Sequence, residues 1–217
     1  MRSLKQRFIR LIIGLFLFSL GILLTIQANI GYAPWDVFHV GFAETIGVSI
    51  GTASIIVGLA VGVITILLGE KLGVGTLLNM FLIGIFIDVL ILLEVIPTVD
   101  NYFLGILMLI IGLFTIALGS YFYIGSGFGA GPRDSLMVGL TRKTKLPVGL
   151  CRVMIELSAA LVGYKLGGLI GFGTIIAAVA IGFCVQVTFK LLDFDTTTVK
   201  HETLQETFNT IKALRNI

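Results

Sequence analysis

The sequence predicts an all-α polytopic membrane protein: six transmembrane helices in two inverted three-span repeats, each with a short re-entrant or interfacial helix. Three observations carry this. Hydrophobic residues make up 57% of the 217 positions, charged residues 12%, and the mean hydropathy is +1.07, whereas a soluble domain carries about 25% charged residues. Slid along itself by 98 positions without a gap, the chain matches residues 11–93 to 109–191 with 25 identities in 83 pairs. The lysines and arginines also sort to one side of the predicted spans.

The duplication comes first, because a fixed-period repeat sets the architecture. Leu11-Ile12-Ile13-Gly14-Leu15-Phe16 lands on Leu109-Ile110-Ile111-Gly112-Leu113-Phe114. Gly31, Pro34, Asp36, Val40 and Gly41 land on Gly129, Pro132, Asp134, Val138 and Gly139, and Gly69, Gly73, Gly75 and Thr76 on Gly167, Gly171, Gly173 and Thr174. Apolar composition alone does not align glycines, a proline and an aspartate in register. The chain divides into an N-terminal segment (1–10), repeat 1 (11–98), repeat 2 (99–193) and a C-terminal tail (194–217).

Apolar stretches at 8–28, 51–68, 75–96, 103–124, 148–166 and 169–191 approach the ~20 residues that cross a bilayer. The first follows a basic start like that of a secretory signal, but its near-copy at 109–119 makes it part of the duplicated unit, and we expect it to be retained. With the N-terminus in the cytoplasm, Arg2, Lys5, Arg7, Arg10, Lys71, Arg133, Arg142, Lys143, Lys145, Arg152, Lys190, Lys200, Lys212 and Arg215 fall on or near the inner side and Lys165 alone outside. This is the positive-inside pattern. Three spans per half make the two copies face opposite ways. The linker at 43–47 accordingly carries one acid and no base, and its copy at 141–145 carries three bases.

Asp36–Gly47 and Asp134–Leu140 are too short to span and too apolar to be loops. Each follows a Gly-x-x-Pro-x-Asp corner, at Gly31–Asp36 and Gly129–Asp134. Proline suits the first turn of a helix and an aspartate there suits its free amides and dipole. Each corner therefore starts a short helix after a break. A surface helix and a re-entrant half-helix, which needs protein or a cavity around its broken backbone, both stay open.

Small residues form stripes along the spans: Gly51, Ser54, Gly58, Gly62 and Thr65 in the second, Gly14, Gly21, Thr25 and Ala28 in the first, Gly105, Gly112 and Gly119 in the fourth. Such stripes let helices pack backbone to backbone in lipid. Ionisable groups inside spans are costly and so are functional candidates. Asp88 has no neighbour in sequence to pair with. Glu156 lies one turn after Arg152, so the two share a helix face as a structural or a coupling pair. Asp88, Glu156 and Arg152 are the candidates for ion coupling. Trp35 and Arg133 occupy equivalent places in the two corners. An aromatic face opposite a fixed cation suits an organic solute with an anionic group, with Asp36, His39 and Asp134 completing the candidate site. The plainer alternative makes Asp36 and Asp134 helix caps, His39 an ordinary polar contact and Arg133 a positive-inside residue.

Cys151 and Cys184 stand alone without a metal or disulfide spacing, and no nucleotide, metalloprotease or nucleophile-elbow motif is present. No cofactor, metal, catalytic residue or nucleic-acid partner is expected. The expected surroundings are the lipid bilayer and a small solute, with self-association into a homo-oligomer left open. After Lys190 the chain turns polar. Thr196-Thr197-Thr198 can cap a tail helix with Leu204, Phe208 and Ile211 on one face, docking on the bundle or the inner leaflet.

The stretch from Leu20 to Gly41, with Pro34-Trp35-Asp36-Val37 at its heart, resembles the YczE/YyaS/YitT-type bacterial membrane proteins, and Gly127–Leu136 is similar to that group's second copy. The resemblance covers almost the whole chain. It implies a multi-pass protein of the bacterial cytoplasmic membrane, in a Gram-positive organism, and brings no functional residues with it. Two functions stay open: a secondary transporter of a small, anionic organic solute, or a non-transport accessory or scaffold protein acting through partner binding. A polar cavity between the halves would favour the first, solid packing with paired charges the second. An enzyme is not expected.

Overall fold

The computed structural model describes residues 3–215. Met1 and Arg2 of the basic start lie outside the described residues, as do the side chains of Thr197, Ile211, Leu214 and Arg215. The chain folds into helices α1 (Leu4–Gln27), α2 (Pro34–Ile46), α3 (Ile50–Leu67), α4 (Val74–Leu92), α5 (Tyr102–Ile124), α6 (Pro132–Thr144), α7 (Val148–Lys165), α8 (Phe172–Leu191) and α9 (Leu204–Arg215), with a 3₁₀ turn at Thr196–Thr198. Helices α6 and α7 begin and end 98 residues after α2 and α3, so the internal repeat carries through to the helix boundaries. Ser3 opens α1 with a capping box: its hydroxyl accepts from the Gln6 amide while its own amide donates to the Gln6 side chain, satisfying two of the first-turn donors.

Among the described residues, five helices (α1, α3, α4, α5, α8) are long and apolar enough to cross a membrane. Helix α7, the sixth span expected from sequence, has 18 residues but carries Arg152, Glu156 and Lys165. The short segments are helices of 13 residues each. The second runs on to Thr144 rather than stopping at Leu140, because Arg142 and Lys143 sit in its last turn, where cations oppose the negative dipole end. Gly47 and Lys145 close the pair in the left-handed conformation, φ 72° and 61°. Their starts differ from expectation. The caps are Ala33 and Gly131, with no side-chain cap hydrogen bond, so Asp36 and Asp134 are not the caps of their helices.

The two long glycine-bearing helices, α1 and α5, form the centre of the packing. A Cβ on Gly14 would lie 2.5 Å from the Tyr123 backbone nitrogen, one on Gly21 2.7 Å from that of Ile116, and one on Gly119 2.7 Å from that of Phe18. The first and fourth stripes thus face each other. In α3 the backbone contact sits at Gly51, against the Gly84 carbonyl of α4. Gly62 meets only the end of Met80, and Gly58 has ordinary contact at 3.5 Å.

Two contacts recur with the halves exchanged. The Gly75 amide donates to the Phe128 carbonyl (2.7 Å), and the equivalent Gly173 amide donates to the Ile30 carbonyl (2.8 Å). Gly31 (φ 111°) lies against Gly171, and Gly129 (φ 116°) against Gly73, so close that any side chain would collide with backbone. The break before α2 is thereby pinned to the start of α8, and the break before α6 to the start of α4. Helix α2 packs on α7 and α3 on α6, again exchanging halves. One pair does not match: α3 lies along α4, but α7 and α8 scarcely touch.

The tail docks on the bundle. Arg7 pairs with Glu202 and donates to the Ser126 and Gly127 carbonyls. The Glu202 amide donates to Gly127 and the Leu204 amide to Leu72. The threonine triplet forms its own 3₁₀ turn, and the tail helix is started instead by Thr203 and Glu206. The Thr203 amide and then its hydroxyl hold the Glu206 carboxylate below its ordinary pKa. This cap is therefore complete at neutral pH and lost as pH falls through the carboxylate range.

The glycine contacts give a paired test. Gly14→Ala forces backbone apart and should lower thermal stability in detergent by about 1–3 kcal/mol. Gly58→Ala, where a methyl fits, should leave the melting temperature unchanged or raise it, since a helix-interior glycine costs about 1 kcal/mol relative to alanine.

Candidate functional site

Each break delivers a helix start to the middle of the bundle. Proline at the first helical position sets φ and lacks an N–H that would go unpaired; the next two amides in each helix have no intrahelical acceptor. Ala33, Pro34, Trp35 and Asp36 from α2 and Gly131, Pro132, Arg133 and Asp134 from α6 line one cavity of about 320 Å³. Its walls come from all eight helices of the two repeats, including Asn79 and Met80 on α4, Ser120 and Tyr123 on α5, Arg152 and Glu156 on α7 and Ile181 on α8.

The five residues expected to form a binding site do meet there. The Arg133 guanidinium stacks on the Trp35 ring, 4.6 Å from its centroid, a cation–π contact between equivalent positions of the repeat. Asp36 is buried, and its Oδ1 stands 3.7 Å from His39 Nδ1, beyond hydrogen-bonding range. That oxygen has no hydrogen-bond partner among the described residues, and neither has the hydroxyl of buried Tyr123 on the same cavity. Asp134 is exposed to the cavity and Arg133 partly so. Buried polar groups are normally hydrogen-bonded, so these two are under-satisfied groups beside the cavity, though neither oxygen is itself open to it.

The coupling candidates fall into two places. Arg152 and Glu156 form an ion pair at 3.0 Å on the cavity wall, with side chains 52% and 24% exposed. This pair is half in the open, not a sealed interior pair. Asp88 is elsewhere. Its carboxylate accepts from the Ser49 hydroxyl and from the Gly51 amide at 2.8 Å, so it crosses from α4 to cap α3. A second, more open pocket with Glu44, Ser49 and Ile91 adjoins it, separate from the central cavity. Asp88 therefore has the cross-bundle partner that its sequence neighbours do not supply.

Tyr123 was invisible in the sequence, being one aromatic within Tyr121-Phe122-Tyr123 at the end of a span. Arg10 was read only as a positive-inside residue. It is buried, with its guanidinium 4.4 Å from the Tyr121 ring centroid and near Phe122 and Phe194, and donates to the Tyr121 carbonyl. Among the described residues no cluster of histidine, cysteine, aspartate and glutamate has the geometry of a metal site.

Two measurements follow. Glu156→Ala should shift thermal stability by no more than about 1 kcal/mol, as for an exposed pair, rather than the several expected for a sealed one. Trp35 is the only tryptophan in the chain, so Arg133→Ala, which strips the cation from its face, should change the intrinsic emission spectrum of purified protein. An identical spectrum would contradict the stack.

Residues 5–190 match the model of a family of unknown function (DUF6198). The chain is similar to the uncharacterized membrane protein YczE of Bacillus subtilis, 36% identical over 83% of this chain and 86% of that protein. It is also 34% identical to an uncharacterized protein of Haemophilus influenzae, over 83% and 84% of the two chains. The uncharacterized protein YyaS of Bacillus subtilis is 27% identical over 83% and 91%. No solved structure matches.

Proposed function

This chain belongs to the DUF6198 family of unknown function, and we propose that it is a secondary transporter of a small organic solute bearing both a cationic and an anionic group. The Arg133–Trp35 stack inside a mainly apolar cavity set with a few charged groups carries the reading. Two broken helices bring their starts together there, the arrangement by which inverted-repeat transporters hold solutes near the midplane. In this reading α7 is the sixth span, its charges turned to the cavity rather than to lipid. Both termini lie in the cytoplasm, and a two-fold axis in the membrane plane relates the halves, consistent with the exchanged contacts at Gly31, Gly73, Gly129 and Gly171.

The charges narrow the solute. An anionic group is suited by Arg133 and by two helix starts without side-chain caps. Yet Asp36, Asp134 and Glu156 line the same space against Arg133 and Arg152. A purely anionic solute would meet carboxylates it cannot satisfy, whereas a zwitterion pairs with both sets. The cavity is at the small end of ligand sites, which run from about 300 Å³.

The competing scaffold reading calls for solid packing and paired charges. The cavity and the charged groups open to it, Asp134, Arg133 and the half-exposed Arg152–Glu156 pair, favour transport instead. The test is titration of purified protein with a panel of zwitterionic, cationic and anionic solutes, read by Trp35 fluorescence, followed by uptake into liposomes. Zwitterions should perturb the emission, and Arg133→Ala or Asp134→Asn should weaken binding at least about tenfold, the effect of leaving a charged partner unpaired. If no solute perturbs Trp35 or enters liposomes, and Arg133→Ala leaves the cellular phenotype intact, the scaffold reading replaces this one.

A further inference from the structure

We propose that α7 and α8 form a gate that closes as α3 and α4 are closed here, and that Asp88 is the latch holding the α3–α4 pair shut. This rests on the transport reading above and adds to it which parts move and which residue sets the resting state.

The argument begins with four glycines in equivalent places. Gly51 on α3 and Gly84 on α4 lie so close that a Cβ on either would collide with the carbonyl of the other. Their counterparts in the second repeat are Gly149 on α7 and Gly182 on α8. A Cβ at either would meet nothing within 4 Å. A helix-interior glycine is unfavourable by about 1 kcal/mol relative to alanine, and at Gly182 no contact in this structure offsets that. The offset exists in the other repeat, where the same pair is in backbone contact. A state in which α7 lies on α8 would use Gly149 and Gly182 as Gly51 and Gly84 are used now.

The helix pairs say the same. Helices α1 with α4 and α5 with α8 match as counterparts, as do α2 with α7 and α3 with α6; the pairs α3–α4 and α7–α8 do not. The mismatch is greatest at the two pairs flanking the central cavity, whose wall includes Arg152 and Glu156 of α7 and Ala178 and Val185 of α8, and α7 correspondingly lies against α2 more extensively than α3 does against α6. One side is closed and the other is parted. Such a two-state element, closed in one copy and open in the other, is what alternating access requires.

The closed side has a fastening that the parted side lacks. Asp88 binds the Ser49 hydroxyl and the Gly51 amide, a charged acceptor on the positive end of α3. The counterparts are Gln186, Pro147 and Gly149. A neutral amide replaces the carboxylate, and a proline, which caps α7 without a side-chain hydrogen bond, replaces the serine. A charge-assisted cap is stronger than a neutral one. This difference favours the α3–α4 closed state, the one observed, and makes Asp88 a positioning residue rather than a solute ligand.

The test uses a single reporter thiol. In a Cys151→Ser, Cys184→Ser background, Ser54→Cys places a thiol on the cavity wall, and an impermeant maleimide is applied to each face of sealed vesicles in turn. The reporter should label readily from the α7–α8 face and slowly from the α3–α4 face. Gly182→Leu starts from a Cβ position with nothing within 4 Å in the present structure and blocks closure of α7 on α8. It should leave the melting temperature and the fast labelling intact while suppressing the slow labelling. Asp88→Asn should raise the slow labelling about fivefold, the shift expected from weakening one cap. Slow labelling that ignores both substitutions would overturn the gate, as would a Gly182→Leu variant that loses stability because the site is packed at rest. Trp35 titrations on the same variants separate the two proposals. Solute binding with unresponsive labelling sinks the gate alone; responsive labelling with no solute bound sinks the transport reading and leaves the gate standing.

Discussion

The arrangement depends on two reciprocal backbone contacts, Gly31 on Gly171 and Gly129 on Gly73. Each pins the break before a short helix to the start of the last long helix of the other repeat, and the Gly75 and Gly173 amides fasten the same junctions by hydrogen bonds across the repeats. Backbone groups at a break have to be satisfied by protein where water is excluded, and the positive φ of Gly31 and Gly129 makes these junctions available to glycine alone without strain. Because neither repeat can complete its own break, the two are obliged to interlock. The interlock aims Trp35 and Arg133 at each other.

Around that centre, small residues and charges divide the work. Glycine stripes bring α1 and α5 into backbone contact, supplying van der Waals packing where lipid gives no hydrophobic drive between helices. Arg7 and Arg10, which enter the sequence as generic positive-inside residues, tie α1 to the tail, to the loop after α5 and to an aromatic cluster. Asp88 caps α3. Asp36, Arg133, Asp134, Arg152 and Glu156 gather instead around the one central cavity.

Duplication followed by divergence then explains why the molecule is not symmetric. Positions that build the frame stayed alike: Gly31 and Gly129, Pro34 and Pro132, Gly73 and Gly171. Positions facing the cavity or the flanking helix pairs did not: Trp35 against Arg133, His39 against Met137, Asp88 against Gln186. A symmetric frame with unlike side chains lets one half be closed while the other is parted. The family resemblance adds relatives but no chemistry, since the proteins similar to this one are themselves uncharacterized.

By itself, the sequence determined the helical membrane class, the register of the repeat, and helix positions to within a few residues for most spans. It could do so because apolar length and glycine spacing are local or strictly periodic signals. It also brought Trp35, Asp36, His39, Arg133 and Asp134 together as one group, since corners at equivalent positions of a repeat converge when the repeats interlock. It stopped α6 at Leu140, because Arg142 and Lys143 read as loop composition until their place at a helix C-terminus is known. It left Asp36 and Asp134 open between helix caps and a solute site, and only the tertiary structure puts the caps at Ala33 and Gly131 and leaves an Asp36 carboxylate oxygen short of a partner. Asp88 shows the limit most plainly. Its partners, Ser49 and Gly51, lie on another helix nearly forty residues away; whether an acid within a span is a proton carrier, a ligand or a latch is decided by what packs against it, and packing between distant segments leaves no mark in the local pattern of residues.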